Sequence, residues 1–528
     1  MQTPSAPHTS AQIPVIDLFA GPGGLGEGFS SVKTASGDRL FNIKLSIEKE
    51  SSAHSTLELR SFFRQFPIGQ APDAYYQFVQ GKISREVLFE KFPAQSAKAK
   101  DDSWHQELCA QTTHKVEERI RRSLGGAEDW VLIGGPPCQA YSIAGRSRNV
   151  GKENYDPEKD EKQTLYLEYL QVIANHWPAV FIMENVKGLL SATLKNQGIF
   201  ERILEDLESP LEALAREGRR VTGKKRTHSY KLYSINKGQS NNLLGIPEAA
   251  SFVVRAEEHG IPQARHRVII LGIREDIDKE PGCLAIVPEV DVGKTIEGLP
   301  RVRSGISRRE DSYESWSSAI REAQVKRWLV KSARSIGGTE LKDILIDAID
   351  RLSCPRADRG GEFIACEPSI EHEKNWFIDP KLGGVCNHHT RTHMRTDLHR
   401  YLYAACFAKL KKTSPQLSDF PKDLHPRHKN VSKAIEEGGH FDDRFRVQRK
   451  DRTATTITSH IAKDGHYYIH YDPTQCRSLT VREAARIQTF PDNYFFCGNR
   501  TSQYGQVGNA VPPLLAREIA QIVAKLLK

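Results

Sequence analysis

The sequence predicts an α/β protein: a mostly parallel, doubly wound sheet covered by helices on both faces, joined to a smaller, irregular α+β domain. Three observations predict it. Short apolar runs at 13–19, 41–47, 130–133, 180–183 and 268–272 alternate with stretches of helical spacing, the pattern of a sheet buried on both sides. The first run ends in a glycine turn, Gly21-Pro22-Gly23-Gly24-Leu25-Gly26. After Arg274 the alternation stops, and residues 276–475 hold loops, short helices, polar strands and many prolines.

Taken in order, residues 1–12 are polar, lack the apolar stretch of a signal peptide and are expected to be disordered. Strands are expected at 13–19 and 41–47, and a helix over 51–63. Residues 64–126 are polar and mixed, and are expected to form an insertion between two strands of the core domain. A strand at 130–133, a helix over 164–174 and strands at 180–183 and 268–272 follow. The β-branched and aromatic residues of 454–471 suggest strand pairs, and a helix over 512–527 closes the chain. The expected division is 13–275 for the core domain, 276–478 for the irregular domain, and 479–528 for a hinge that returns to the core domain.

Composition excludes several classes. The 528 residues are 27% charged and 38% hydrophobic, which is globular, and no apolar run reaches the ~18 residues of a membrane span. The nine cysteines are scattered without a CxxC pair, which argues against a disulfide framework or a four-cysteine zinc site and for a reducing compartment. The 75 basic and 66 acidic residues leave +9, an excess that permits a nucleic-acid partner without demanding one.

Two features carry chemistry. The glycine turn has G-x-G-x-x-G spacing between a strand and a helix, and Glu48 follows about 20 positions later at the end of the next strand, where a carboxylate meets ribose hydroxyls. This is a Rossmann-like nucleotide fingerprint, and it leaves the nucleotide open. Second, Gly134-Gly135-Pro136-Pro137-Cys138-Gln139 follows the strand at 130–133. Two prolines fix the backbone in front of Cys138, at the carboxyl end of a strand, where open α/β sheets build their sites. A thiolate there is a candidate covalent nucleophile.

The frame around Cys138 resembles the Pro-Cys-Gln motif of the DNA (cytosine-5) methyltransferases, and five further segments match that family in order. They are Asp17-Leu18-Phe19-Ala20-Gly21-Pro22-Gly23-Gly24, Glu184-Asn185-Val186, Gln263-Ala264-Arg265-His266-Arg267, the stretch from Leu479 to Pro491, and Gly508-Asn509-Ala510-Val511-Pro512-Pro513. The resemblance implies S-adenosylmethionine as methyl donor and a flipped cytosine in double-stranded DNA as substrate. It implies Cys138 as nucleophile and Glu184 as the acid at the cytosine ring, with Arg265 or Arg267 at the base, unranked. For the cofactor it implies Phe19 and Glu48 at the adenosine, Pro137 and Leu165 on the adenine side, and Asn509 with Gly21 and Gly23 at the methionine end. An acidic residue should meet the adenine amino group, and Glu107 and Asp129 are both candidates.

The basic loop 144–152 is expected to close over DNA phosphates, and the basic run 219–226 to be an exposed loop. In this family the segment matching 276–478 is the target recognition domain. Within it, residues 381–455 hold 16 Lys/Arg against 8 Asp/Glu, and seven of the 19 histidines. The run Asn387-His388-His389-Thr390-Arg391-Thr392-His393-Met394-Arg395 fits no standard zinc spacing and is expected to meet DNA, so no metal is expected. The length of this region favours DNA over tRNA. The resemblance further implies a bacterial, cytoplasmic enzyme acting as a monomer, either paired with a separate restriction endonuclease or solitary.

Overall fold

The computed structural model describes residues 12–137, 165–194, 197–222, 228–237, 248–331, 338–426 and 442–528. Cys138, the loop 144–152, residues 223–226 and residues 1–11 lie outside the described residues. The chain runs β1 (Ile13–Leu18), α1 (Gly24–Ser31), β2 (Phe41–Glu48), α2 (Ser51–Arg64), α3 (Asp73–Val79), α4 (Arg85–Lys91), α5 (Pro93–Asp102), β3 (Ser103–His105), α6 (Thr113–Leu124), β4 (Val131–Gly134), α7 (Leu165–His176) and β5 (Val180–Val186). It continues with α8 (Ile199–Glu208), β6 (Tyr230–Tyr233), β7 (Val253–Arg255) and β8 (His266–Arg274).

These eight strands form one sheet in the order β3-β2-β1-β4-β5-β8-β6, with β7 also pairing with β8. The pairs from β3 through β5 are parallel, and β8 runs antiparallel to β5, β6 and β7. Strand order reverses at β1 and β4, so a crevice opens beyond their carboxyl ends.

The two faces of the sheet follow from the alternation of side chains along each strand. Ile16, Leu18, Leu132, Phe181 and Met183 are buried on one face with residues of α6, α7 and α8. Val15, Val131, Ile133, Val180 and Ile182 are buried on the other, with Leu25 and Phe29 of α1. The closing helix of the chain completes that second face: Leu514, Leu515, Ile519 and Val523 pack there.

Two expectations are corrected. Residues 64–126 are not wholly an insertion, because β3 pairs with β2 at the sheet edge and Val116 and Ile120 of α6 join the core. Only 65–102, with α3, α4 and α5, stands outside the sheet. Three residues of edge strand flanked by polar sequence give no run long enough to read as a strand. The strand pairs expected within 454–471 are also absent among the described residues. Ala454–Thr455 pairs instead with Gln263–Ala264, and Ile469–His470 with Val447–Gln448, both in parallel.

The irregular region has its own core. Helices α9 (Tyr313–Arg321), α10 (Gly338–Asp350) and α11 (Arg395–Lys411) bury Trp316, Ile320, Leu345, Leu402 and Phe407 together. Then α12 (Val481–Ile487), α13 (Arg500–Asn509) and α14 (Pro513–Leu527) return to the sheet. A capping box starts α12: Thr480 Oγ1 accepts from the Glu483 amide, and the Glu483 carboxylate accepts from the Thr480 amide.

Candidate active site

The site begins with a turn that side chains make difficult. Phe19, Gly21 and Gly23 all have positive φ, 55°, 56° and 95°, within five residues after β1. Glycine takes that conformation freely, and Phe19 takes it at a cost, a strain that collects at functional sites. Gly24 is needed for a different reason: a Cβ there would stand 2.2 Å from the Val511 carbonyl oxygen. The turn can therefore lie directly on the segment before α14.

Glu48 ends β2 and faces this turn. Its Oε2 accepts from the Gly21 amide at 2.9 Å and its Oε1 from the Glu50 amide at 2.7 Å, so the carboxylate is oriented by backbone from both sides. Between these groups and the ends of β4 and β5 lies a cleft of about 520 Å³. Phe19, Gly21, Glu48, Pro137, Leu165, Glu184 and Asn509 all line it, although they come from six separate stretches of chain. Gly23 does not line it; it precedes α1, and its Cα packs near Leu57 and Tyr494.

Of the two acids considered for the adenine side, Glu107 lines the cleft and pairs with Lys49 at 3.1 Å. Asp129 lies before β4 at the opposite end of the sheet, paired with Arg274 at 3.1 Å. Residues the sequence left unassigned also line the cleft, among them Lys49, Gln106, Ser502 and Gln506. Polar residues in loops and at helix ends carry no periodic signal by which to find them.

Glu184 lies within β5 rather than after it, because the strand extends to Val186. Its carboxylate is not isolated: Oε1 meets Arg267 Nε at 3.0 Å, and both side chains are about 15% exposed (14% and 15%). Burial pushes the Arg267 guanidinium down from its ordinary range, with Glu184 opposing. Asn185 faces Pro136 and donates from Nδ2 to its carbonyl at 3.0 Å, fixing the turn that leads to Cys138. Its place in Glu184-Asn185-Val186 was the only sequence signal for that task.

Of the two arginines expected at the base without ranking, Arg265 faces the interior and does not line the cleft. It is 2% exposed, sits between Gln263–Ala264 and β8, and donates from Nη1 to the carbonyls of Ile457 (2.8 Å) and Gly508 (3.4 Å). Burial, then the like charge of Arg267, pushes it down to about 9. It fastens the closing segment that carries Asn509 to the end of the irregular region. Asp17 lies beneath the glycine turn, fully buried, and neither carboxylate oxygen has a hydrogen-bond partner among the described residues. Burial pushes it up to about 8, against Arg64.

The run 387–395 was expected on DNA, and four of its nine residues are instead internal. Asn387, His388, Thr390 and His393 are buried, with His388 bonded to Thr480 Oγ1 and the Pro300 carbonyl at 2.8 Å each. Side chains that replace water with such partners are unavailable for reading bases. Some of the basic residues of 381–455 are paired within the fold: Arg395 with Glu322 and Lys450 with Glu297 from other segments, and Arg400 with Asp397 and Arg449 with Asp451 inside the segment itself.

A mostly parallel sheet with a glycine turn at its switch point and a cleft across four strand ends defines a class, the Rossmann-like nucleotide-binding folds. The model of the C-5 cytosine-specific DNA methylases matches residues 105–210 and 371–525. The type II methyltransferase M.Bpa9945I of Bacillus paralicheniformis is 31% identical over 96% of this chain and 98% of its own length. The DNA (cytosine-5-)-methyltransferase M.ApeKI of Aeropyrum pernix is 26% identical over 76% of this chain and 83% of its own. Among solved structures, a chain described as a prophage-encoded DNA modification methyltransferase (E. coli) superposes with a TM-score of 0.50 at 17% identity, covering 98% of this chain and 99% of that one, a likeness of fold. The chain belongs to the C-5 cytosine-specific DNA methylase family.

Proposed function

We propose that this enzyme transfers a methyl group from S-adenosylmethionine to C5 of a cytosine flipped out of a specific duplex DNA sequence, through a bond between Cys138 and C6. The observation that carries the reading is the cleft itself. It joins the glycine turn and Glu48 to Glu184 and to Pro136-Pro137, the rigid approach to Cys138.

The cleft suits an adenosine joined to an amino acid. The Glu48 carboxylate is held by two amides with lone pairs left for ribose hydroxyls, and the ring of Phe19 with Pro137 and Leu165 offers apolar surface for adenine. Glu107 reaches the same cleft and is the better placed acid for the adenine amino group. Asn509 and the turn at Gly21 would take the methionine end, with Gly23 setting the turn. The bound cofactor would contribute an electrophilic methyl carbon carried on sulfur.

Cytosine C5 is a weak nucleophile until a thiolate adds to C6. Cys138 Sγ would form that bond, and the electrons displaced from the C5–C6 double bond would make C5 enamine-like. Glu184 would give a proton to N3 as negative charge develops in the ring and take it back when the ring is restored, and Arg267, 3.0 Å from Glu184, would hold the carboxyl group in position. C5 would take the methyl carbon as that carbon's bond to sulfur breaks and a neutral thioether is left; loss of the C5 proton to a base and departure of Sγ from C6 would then restore both ring and thiolate. Arg265 would act on none of these atoms and would position Asn509.

Type II methyltransferases among the relatives support reading the enzyme as the modification partner of a separately acting restriction endonuclease. A cytoplasmic monomer suffices for that role. DNA carrying 5-fluorocytosine tests the mechanism, because fluorine cannot leave as a cation and the adduct persists. A denaturation-resistant protein–DNA complex is expected with the wild type and none with Cys138→Ser. Trapping by the mutant would overturn the assignment of Cys138.

A further inference from the structure

None of residues 73–102 lines the cleft, yet the helices there are tied to both halves of the molecule. Tyr75, Tyr76, Val79, Leu88 and Ala99 bury themselves with Leu59 and Phe62 of α2 on one side and with Leu382 and Cys386 on the other. Phe78 meets Phe495 edge to face at 5.7 Å, and Phe63 meets Tyr75 at 4.8 Å. Gln80 donates to the Leu382 carbonyl at 3.0 Å, and Lys381 Nζ to the Ala71 carbonyl at 3.3 Å.

Through this seam runs a continuous chain of polar side chains. Tyr76 Oη donates to Asp379 Oδ2 at 2.7 Å, and Asn493 Nδ2 donates to the same oxygen at 2.7 Å. Asn493 Oδ1 accepts from Arg60 Nη1 at 3.1 Å. Arg60 then grips Glu27 of α1 with two hydrogen bonds, one of them 2.9 Å from Nε. The Arg60 guanidinium lies over the rings of Phe63 and Tyr494, 4.0 and 4.8 Å from their centroids. The Tyr494 hydroxyl donates to the carbonyl of Pro22, inside the glycine turn. Tyr76, Asn493, Arg60 and Glu27 are buried and Asp379 is half-buried.

A buried chain of this kind is stiff when complete, since moving one member leaves a buried polar group of its neighbour unpaired. Its two ends are a residue of the insertion and the helix that starts at the glycine turn. Of its middle, Asp379 belongs to the irregular region and Asn493 to the segment that follows it.

We propose that the insertion 73–102 is a brace: it seats the irregular domain and, through Tyr76, Asp379, Asn493 and Arg60, fixes α1 and the glycine turn in their cofactor-ready position. Tyr76 is thus a positioning residue, acting on the cofactor site without touching it. Because both sites share one chain, DNA bound by the irregular domain tightens cofactor binding, and by linkage the cofactor tightens DNA binding by the same factor. The cofactor part of this inference rests on the function proposed above.

Hydrogen exchange of residues 20–27 in the ligand-free protein, with calorimetric titration of S-adenosylmethionine with and without DNA, tests the brace. Tyr76→Phe and Asp379→Asn keep the apolar seam and break the chain. Both are expected to speed exchange at 20–27, weaken cofactor binding several-fold and shrink the DNA-dependent enhancement, with kcat kept at saturating cofactor. Arg85→Ala removes an ion pair with Glu58 (3.4 Å) elsewhere on the insertion and is expected to do none of this. Unchanged exchange at 20–27 in both chain variants would overturn the proposal, as would an equal effect from Arg85→Ala. A wild-type protein that binds no S-adenosylmethionine would overturn the cofactor reading instead, and the exchange comparison would still decide the brace.

Discussion

Glu48 shows how far single residues could be read. Its spacing from the glycine turn marked it as a ribose ligand, and the structure adds that the amides of Gly21 and Glu50 hold both its oxygens. Glu48→Ala should therefore weaken S-adenosylmethionine binding by about 10- to 100-fold, the loss expected for a charged hydrogen-bond acceptor worth ~1.5–3 kcal/mol. Calorimetric titration measures it, and an unchanged Kd would remove Glu48 from the site. Arg265 and Arg267 show where such reading stops. They stand two apart in one motif, yet Arg267 pairs with Glu184 while Arg265 is buried against the carbonyls of Ile457 and Gly508. Those carbonyls lie about 190 and 240 positions away in sequence, and nothing local to Arg265 announces them.

At the scale of elements, β1, β2, β4, β5 and β8 were legible because each is a dense apolar run, whereas β3, β6 and β7, three or four residues long, carry no such run. His388 and His393, in the run expected to meet DNA, are buried packing residues. His388 and His470 flank α12, and burial pushes each down to about 4. In the unfolded chain both titrate near their ordinary ~6.5, so below that pH the unfolded state binds more protons than the folded one. Their stability contribution is thus complete above pH ~6.5 and is lost as pH falls towards 4, on the order of 3 kcal/mol for each. Glu483, which burial would raise, is held well below its usual range by Arg477 and these histidines, and adds loss in the same direction at lower pH. Urea unfolding at pH 7.5, 6 and 5 should show a falling midpoint, smaller in His388→Gln; equal midpoints would contradict the assignment. The capping box of α12 predicts a loss of ~1 kcal/mol in Thr480→Ala, in the same assay.

For the whole molecule, the end of the chain completes its beginning. Helix α14 packs Leu514, Leu515, Ile519 and Val523 beside Leu25 and Phe29, and Val511 touches the glycine turn at Gly24. Removing those side chains from the core exposes ~1.5–3 kcal/mol of apolar burial apiece, which together rivals the whole stability of a domain. A chain truncated before Pro513 should be insoluble or lack near-ultraviolet dichroism, and a folded, soluble fragment would contradict this. The excess of +9 gathers in one region, since 381–455 holds 16 Lys/Arg against 8 Asp/Glu, and two of those bases, Arg395 and Lys450, pair with acids from other segments. Sequence alone determined five strands of the sheet, the glycine turn with Glu48, and the order of the motifs, since these depend on apolar runs, backbone-restricting residues and short spacings. Tertiary structure alone decided which acid reaches the cleft, which arginine pairs with Glu184, and that residues 73–102 join the irregular domain to α1. Those outcomes depend on partners hundreds of residues apart, and one chain's local pattern holds no record of who meets whom once the core has closed.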